Sequence, residues 1–192
     1  MTLRDHARGA VRDEVARQAW ALFASQGYET TTIDQIAAAA GMSRRTFFRY
    51  FAGKDELVLA RLVESGDKMA EALRARPAAE AAWPALRAAF QQMVELQEKH
   101  ADVARPLQLM LRDEPGLRAT LQERRTLWLE MLAPLVAVRL PARRRRGPDT
   151  RAEALAGSAL ACFEAAQTAW AMSPDARLAA LLDEAMGAVS DF

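Results

Sequence analysis

Residues 31–51 read TTIDQIAAAAGMSRRTFFRYF and contain the strongest structural signal in the chain. Thr32 followed by Gln35 has the spacing of a capping box, which predicts that a short helix begins there. Gly41 permits the unusual backbone of a tight turn after that helix, and Ser43 is suited to begin a second short helix. Two short helices joined by a tight turn predict a helix-turn-helix.

The second of these helices presents basic and hydroxyl side chains on its predicted outer face. The arginine fork matches the O6 and N7 acceptors of guanine in the major groove, whereas hydroxyl groups suit phosphate oxygens. An ordinary packed hairpin with solvated arginines is the alternative, because single exposed apolar residues are normal on surfaces. The candidate DNA-binding residues on this pattern are Ser43, Arg44, Arg45, Thr46, Phe48, Arg49, Tyr50 and, at the start of the next helix, Lys54.

The rest of the chain also has helical periodicity, with apolar residues three and four positions apart, as in Leu86, Phe90 and Met93. No run of alternating β-branched residues predicts a strand. The fold class predicted is therefore all-α with about nine helices, preceded by an N-terminal arm that includes His6. Apart from the two short helices, the predicted helices span residues 11–26, 55–75, 79–100, 103–112, 115–138, 149–172 and 174–190.

Composition excludes several classes of protein. The 192 residues carry 26 basic and 25 acidic side chains, which is too balanced for a uniformly basic DNA coat. One cysteine excludes an internal disulfide and any multi-cysteine metal site, and two histidines disfavour a histidine-based one. No catalytic constellation, phosphate loop or cofactor motif is recognisable. We therefore expect no enzyme, no metal and no cofactor. The lack of a signal peptide and of a long apolar run predicts a cytoplasmic protein that does not enter a membrane.

The N-terminal pattern resembles one known family. Residues 11–60 are similar to the DNA-binding domain of the tetracycline-repressor (TetR) family of bacterial regulators. The residues that carry the resemblance are Ala19, Leu22, Phe23, Gly27, Tyr28, Thr31, Thr32, Ile36, Ala37, Ala40, Gly41, Met42, Ser43, Thr46, Phe47, Tyr50, Phe51 and Lys54.

This resemblance implies a transcriptional regulator, usually a repressor, that binds an inverted-repeat operator on double-stranded DNA as a homodimer. It divides the chain into a helix-turn-helix domain at 1–54 and a ligand-binding, dimerising domain at 55–192. It implies that Thr32, Ser43, Thr46, Tyr50 and Lys54 contact phosphates, while Arg44, Arg45 and Arg49 lie nearest the bases. Arg45 stands where the family often has a small residue, and Phe48 where it often has tyrosine. Phe48 is suited instead to a thymine methyl group.

The resemblance also implies that the helices near 149–172 and 174–190 form a four-helix dimer interface. Two apolar stripes fit that role, although such stripes, taken alone, more often belong to the chain's own core. They comprise Leu155, Ala159, Cys162, Phe163, Ala166 and Trp170 on one helix and Leu178, Leu181, Leu182 and Met186 on the other.

A cavity for a small, largely apolar or amphipathic effector is expected among the middle helices. Methionine suits a pocket that accepts varied apolar ligands, and a buried polar side chain needs a partner that a ligand can supply. The candidate lining residues are Met93, Leu107, Gln108, Met110, Leu111, Trp128, Met131, Phe163, Glu164 and Gln167. Ordinary core packing is the alternative for each apolar member, and a position facing solvent or the dimer interface is the alternative for Glu164 and Gln167.

Two further interpretations remain open from the sequence. The C-terminal half, notably from Arg105 to Trp128, resembles actinobacterial members of the family that bind acyl-CoA-like ligands. The four arginines at 143–146 form either a solvated loop or an anion site. The alternative function for the whole chain is a helical ligand carrier or scaffold without sequence-specific DNA binding.

Overall fold

The structure, a computed structural model, describes residues 3–142 and 149–190, so the arginine-rich segment 143–146 lies outside the described residues. Within those ranges every regular element is helical, which confirms the predicted all-α class. The helices are α1 (Leu3–Gln26), α2 (Ile33–Ala39), α3 (Arg44–Tyr50), α4 (Lys54–Ala75), α5 (Ala82–Lys99), α6 (Ala101–Asp113), α7 (Arg118–Ala137), α8 (Arg151–Met172) and α9 (Leu178–Ser190), with a 3₁₀ turn at Pro115–Leu117 before α7.

The helix-turn-helix is built by local signals, as the sequence predicts. Thr32 begins α2 with a complete capping box, in which its hydroxyl accepts from the Gln35 amide and the Gln35 side chain accepts from the Thr32 amide. Ser43 begins α3 by accepting from the Thr46 amide at 3.1 Å. Gly41 has a φ of +65°, which a side-chain-bearing residue rarely adopts. The tight turn therefore forms where glycine permits it.

Two helices begin furthest from their predicted first residues, α1 and α9. The expected N-terminal arm is helical from Leu3, because Gly9 alone costs only about 1 kcal/mol in a helix and nothing else there breaks it. At the other end of the chain, α9 begins at Leu178 instead of residue 174, since the intervening residues turn. Arg105 of α6 holds that turn by donating to the carbonyls of residues 170, 173, 174 and 176.

One hydrophobic core runs through the described helices. In the N-terminal part, Ile36 and Ala37 of α2 and Phe47 of α3 are buried together. The long helix α4 continues from this part into the larger bundle, where the Trp128 indole donates to the Leu62 carbonyl at 2.8 Å. This bond joins α7 to α4. Helix α4 therefore belongs to the larger bundle, and its first residue, Lys54, also contacts the N-terminal part.

The apolar stripe predicted for the dimer face of α8 belongs to the protomer's own core. Ala159, Cys162, Phe163, Ala166 and Trp170 are all buried within the single chain. The same holds for Leu178, Leu182 and Met186 of α9. Because these side chains are already covered, they cannot form the face that meets a second copy. Of the described helices, none is long and apolar enough to cross a membrane.

Candidate DNA interface and ligand cavity

The outer face of α3 is exposed and basic. Arg44, Arg45 and Arg49 are all solvent-exposed, and Phe48 between them keeps 47% of its surface accessible. Arg44 pairs with Asp34 of α2 at 3.0 Å, and its guanidinium lies 5.5 Å from the Phe48 ring centre. Since both partners of this ion pair are exposed, opening it for another anion costs little.

Arg45 and Arg49 are freer than Arg44. In the part of the chain that the structure describes, neither side chain forms a hydrogen bond or an ion pair. The Arg49 guanidinium lies 5.3 Å from the centre of the Tyr50 ring. Their charges are therefore available to a polyanion that approaches α3.

Two of the predicted hydroxyl residues, Thr32 and Ser43, already act as helix caps. The Thr32 and Ser43 oxygens each accept a backbone N–H, and the Ser43 and Thr46 oxygens lie 2.9 Å apart. A hydroxyl oxygen that accepts one bond still has a donor of its own. One of the paired hydroxyls at the start of α3 can therefore donate to a phosphate without loss of the cap.

Lys54 has a structural partner in the protein. Its ammonium group donates to the Tyr28 carbonyl at 2.8 Å and lies 4.3 Å from the centre of the Tyr28 ring. The Tyr28 hydroxyl in turn donates to Asp55, and burial together with that carboxylate raises the pKa of Tyr28. This set ties the α1–α2 connection to the start of α4 and so fixes the position of the helix-turn-helix.

Arg12 of α1 positions the far end of α3 and was not identified from the sequence. It donates to the Tyr50 carbonyl and to Glu56 at 2.9 Å, and it stacks 4.4 Å from the Phe51 ring centre. Its partners lie 38 and 44 residues away in the chain, so no local pattern indicates the role.

A cavity of about 410 Å³ opens between α6, α7 and α8. Four of the predicted ligand residues line it, namely Gln108, Leu111, Glu164 and Gln167. The sequence did not single out the other lining residues, which are Arg112, Leu121, Gln122, Arg124, Arg125 and Thr168.

Two arginines and one carboxylate form the polar wall of this cavity. Arg124 donates to Glu164 at 2.6 Å, and Arg125 donates to the other carboxylate oxygen at 2.5 Å. Arg124 is only 7% exposed, and its guanidinium lies 4.7 Å from the Trp128 ring centre. Burial lowers the pKa of Arg124, although Glu164 opposes that effect.

Two amide side chains of the cavity lining, those of Gln108 and Gln167, share one partner. Gln97 of α5 accepts from the Gln167 side chain at 3.1 Å and, more weakly, from Gln108 at 3.5 Å. Glu164 and Gln167 therefore face the cavity, an orientation that the sequence left open.

The other predicted ligand residues are placed elsewhere. Phe163 stacks on Phe90 at 5.0 Å in the core, Trp128 is buried beneath Arg124, and Met110 and Met131 pack partly buried against the same core. Met93 borders a shallow groove of about 320 Å³ between α4 and α5.

Leu107 lines a separate cavity of about 790 Å³ between α1, α4 and α6. The arginines around this larger cavity are already paired, Arg17 with Glu14, Arg61 with Glu64 and Arg12 with Glu56. The Trp20 indole also lines it, with a buried Nε1 that has no partner among the described residues, but none of its three arginines shares a carboxylate with another. We take the smaller cavity, where two arginines share one carboxylate, as the candidate effector site.

Two family models match the chain. Residues 16–60 match the model of bacterial regulatory proteins of the tetR family, and residues 80–191 match the model of the MftR C-terminal domain. The chain belongs to the TetR family.

Relatives of this TetR-family chain agree with the assignment. It is 34% identical over 143 residues to the HTH-type transcriptional regulator TcmR of Streptomyces glaucescens, an alignment covering 71% of this chain and a little under two thirds, 63%, of TcmR. It is 31% identical over 157 residues to MftR of Mycobacterium tuberculosis, covering 74% of this chain and 73% of MftR. TcmR is a transcriptional regulator, and neither relative supports the carrier or scaffold alternative.

Solved structures share the fold. FadR of Thermus thermophilus, a TetR-family repressor solved with lauroyl-CoA, aligns with a TM-score of 0.62 at 24% identity over 92% of this chain and 91% of FadR. FadR of Bacillus subtilis, solved with stearoyl-CoA, aligns with a TM-score of 0.63 at 20% identity over 91% and 95% of the two chains. At these identities the likeness concerns the fold.

Proposed function

We propose that this TetR-family chain is a repressor that binds an inverted-repeat operator as a homodimer and is released by a small effector. The exposed face of α3 carries the proposal. Arg45 and Arg49 have no competing partner there among the described residues. Arg45 lies in the first turn of α3, and the N-terminal residues of a recognition helix are the ones that meet base edges in the major groove. Such a regulator works in the bacterial cytoplasm, where the chromosome lies.

The dimer uses a different face of α8 from the one predicted. Ala154, Ala161, Ala165 and Ala169 lie exposed along one side of this helix, with Ser158 half-exposed between them. Small side chains permit close approach of a second helix, and exposed alanines at this spacing form one face. We assign this face, together with the exposed side of α9, to the homodimer.

The effector site is the cavity between α6, α7 and α8. Its volume lies within the range of about 300–1,000 Å³ that is usual for small-molecule pockets. The lauroyl-CoA and stearoyl-CoA complexes of the two FadR proteins support a ligand of amphipathic character.

The helices α7 and α4 connect the cavity with the DNA interface. Trp128 lies beneath the cavity's Arg124 and bonds to α4, and α4 begins at Lys54 beside the helix-turn-helix. A ligand that moves α7 would shift α4 and favour a dimer whose two α3 helices no longer fit major grooves about 34–36 Å apart.

A genomic selection tests the proposed function. The purified chain is incubated with fragments of its own genome, including the DNA that flanks its gene, and the bound fragments are sequenced. Fluorescence anisotropy then measures the affinity for a recovered fragment in the presence of unrelated DNA. Recovery of a shared inverted repeat that resists the competitor supports the proposal. Equal, salt-sensitive binding to all fragments contradicts it.

Oligomeric state tests the assigned dimer face. Ala165→Glu places a charge in the middle of the α8 face and should convert the dimer to a monomer in sedimentation experiments. Ala119→Glu, at an exposed position of α7, is the matched control and should leave the dimer intact. A dimer that survives Ala165→Glu would place the interface elsewhere.

A further inference from the structure

We propose that the cavity between α6, α7 and α8 binds an organic monocarboxylate through Arg124 and Arg125, with Glu164 as the internal counter-ion of the empty site. This inference rests on the proposed function, because it names the chemical class of the effector.

Arg124 has donors that the protein does not satisfy. A guanidinium group has five N–H donors, and this one makes a single hydrogen bond within the described residues, to Glu164. Its Nε is fully buried and has no partner in the same part of the chain. Leaving a buried donor without a partner costs free energy that an additional acceptor recovers. The arginine is therefore incompletely satisfied in the empty cavity.

The charges of the cavity point to an acceptor with one negative charge. Two guanidinium groups share one carboxylate, so the cluster has an excess of one positive charge. Arg112 at the rim does not alter this balance because it pairs with Asp113 at 2.5 Å. Arg124 is buried and the Arg125 side chain keeps 38% exposure, so the excess charge is only partly solvated, and one monoanion would complete the pairing.

The geometry favours a carboxylate attached to an apolar body. The planar arginine fork matches the two oxygens of a carboxylate. Leu111 and Leu121 supply apolar walls beside the arginines, while the amides of Gln108 and Gln167 lie on the same cavity. A small inorganic anion would leave those apolar walls uncovered, so an organic acid fits better.

Glu164 limits how tightly a carboxylate can bind in this cavity. Since its carboxylate accepts one hydrogen bond from each arginine, it competes with the ligand for those two donors. Glu164→Gln keeps the shape of the side chain and removes the competing charge. The variant should therefore bind carboxylates more tightly than the wild-type protein, whereas a loss of structure would weaken binding.

Calorimetry on the full chain without DNA tests this inference. The probes are matched pairs that differ in charge, dodecanoate with 1-dodecanol and benzoate with benzyl alcohol, plus inorganic phosphate. The wild-type protein should prefer the better-fitting carboxylate to its alcohol by about tenfold or more, as a charge-assisted hydrogen bond predicts. Glu164→Gln should raise that preference, and Arg124→Lys should reduce it. Arg125→Gln gives a second test at a less buried position. Arg118→Gln, at an exposed position of α7 outside the cavity lining, is the control that should change nothing.

Several outcomes would overturn the inference. Equal binding of acids and alcohols, no binding of either carboxylate, or a preference unmoved in all three cavity variants would each do so. Phosphate binding that equals or exceeds carboxylate binding would replace the ligand class. The genomic selection tests the proposed function independently of this inference, because a regulator whose effector is neutral would still recover its operator.

Discussion

The arginines of α3 and those of the α6–α8 cavity carry the same charge in opposite surroundings. On α3, Arg45 and Arg49 stand in solvent without ion-pair partners in the described chain. In the cavity, Arg124 is buried and shares Glu164 with Arg125. An exposed guanidinium group keeps its hydration, so its charge carries little desolvation penalty and attracts any polyanion. A buried guanidinium group must be paired and therefore selects the anion that fits. The two regions are therefore suited to DNA and to a small acid, respectively.

The largest effect should come from removing the exposed arginines. Arg45→Ala with Arg49→Ala should reduce affinity for the recovered operator by about a thousandfold or more, because each base contact contributes about 1–3 kcal/mol and a dimer loses four. The free energy of unfolding should change by less than about 0.5 kcal/mol, as is usual for exposed positions. Anisotropy and urea denaturation measure the two quantities.

Arg74→Ala is the matched control for this pair. Arg74 is exposed in the last turn of α4, about 30 Å along the helix from Lys54. Unchanged operator affinity is expected. Salt titrations refine the result, since the slope of log K against log salt should fall by about 0.9 for each phosphate that the variant no longer neutralises, and by less where an arginine meets a base. A double variant that binds the operator like wild type would contradict the role of α3.

The next largest effect should come from Glu164→Ala in the cavity. Removing the carboxylate leaves two arginines unpaired, and breaking a buried ion pair costs about 3–5 kcal/mol. The Glu164 side chain keeps 27% exposure, so we expect a loss of about 2–3 kcal/mol in the free energy of unfolding. Urea denaturation measures it. A loss below about 0.5 kcal/mol would mean that the cluster is solvated and unlike a buried site.

Arg105 tests whether an inward-facing arginine acts through geometry as well as charge. It donates to the Ser173, Pro174 and Ala176 carbonyls and stacks 4.3 Å from the Trp170 ring. Arg105→Lys keeps the charge but loses the fork and the stacking, and should cost about 1–2 kcal/mol of stability. Thermal unfolding measures the change. A variant as stable as wild type would show that charge alone suffices.

The smallest effect should come from the exposed ion pair beside α3. Asp34→Ala removes the partner of Arg44 but should change the free energy of unfolding by less than about 1 kcal/mol, because both side chains are largely exposed. It also removes a negative charge next to the DNA face, so operator affinity should stay the same or rise. Urea denaturation and anisotropy measure the two changes. A fall in affinity would show that Asp34 holds Arg44 in its DNA-binding position.

Local signals account for the part of the site that the sequence predicted. The capping box at Thr32 and Gln35, the turn at Gly41 and the cap at Ser43 each involve residues within a few positions, so their spacing is visible in the sequence. The exposed face of α3 follows from those boundaries. Periodicity likewise placed every helix of the larger part to within a few residues.

Interactions between distant residues account for what the sequence could not predict. Arg124 and Glu164 are 40 residues apart in the chain, and the hydrogen-bonded side chains of Gln167 and Gln97 are 70 residues apart. Periodicity indicates that Phe163 and Trp128 are apolar and inward-facing, but not that one stacks on Phe90 and the other lies beneath an arginine. The α8 stripe was ambiguous for the same reason, since core and dimer faces share one apolar pattern.

A hydroxyl-radical footprint on the recovered operator tests the central claim most directly. If two α3 helices of a homodimer enter successive major grooves, the wild-type protein should protect two patches related by two-fold symmetry and about 34–36 Å apart. The Arg45→Ala, Arg49→Ala variant should lose both patches together. A single unsymmetrical patch, or a footprint that the double variant keeps, would contradict the account.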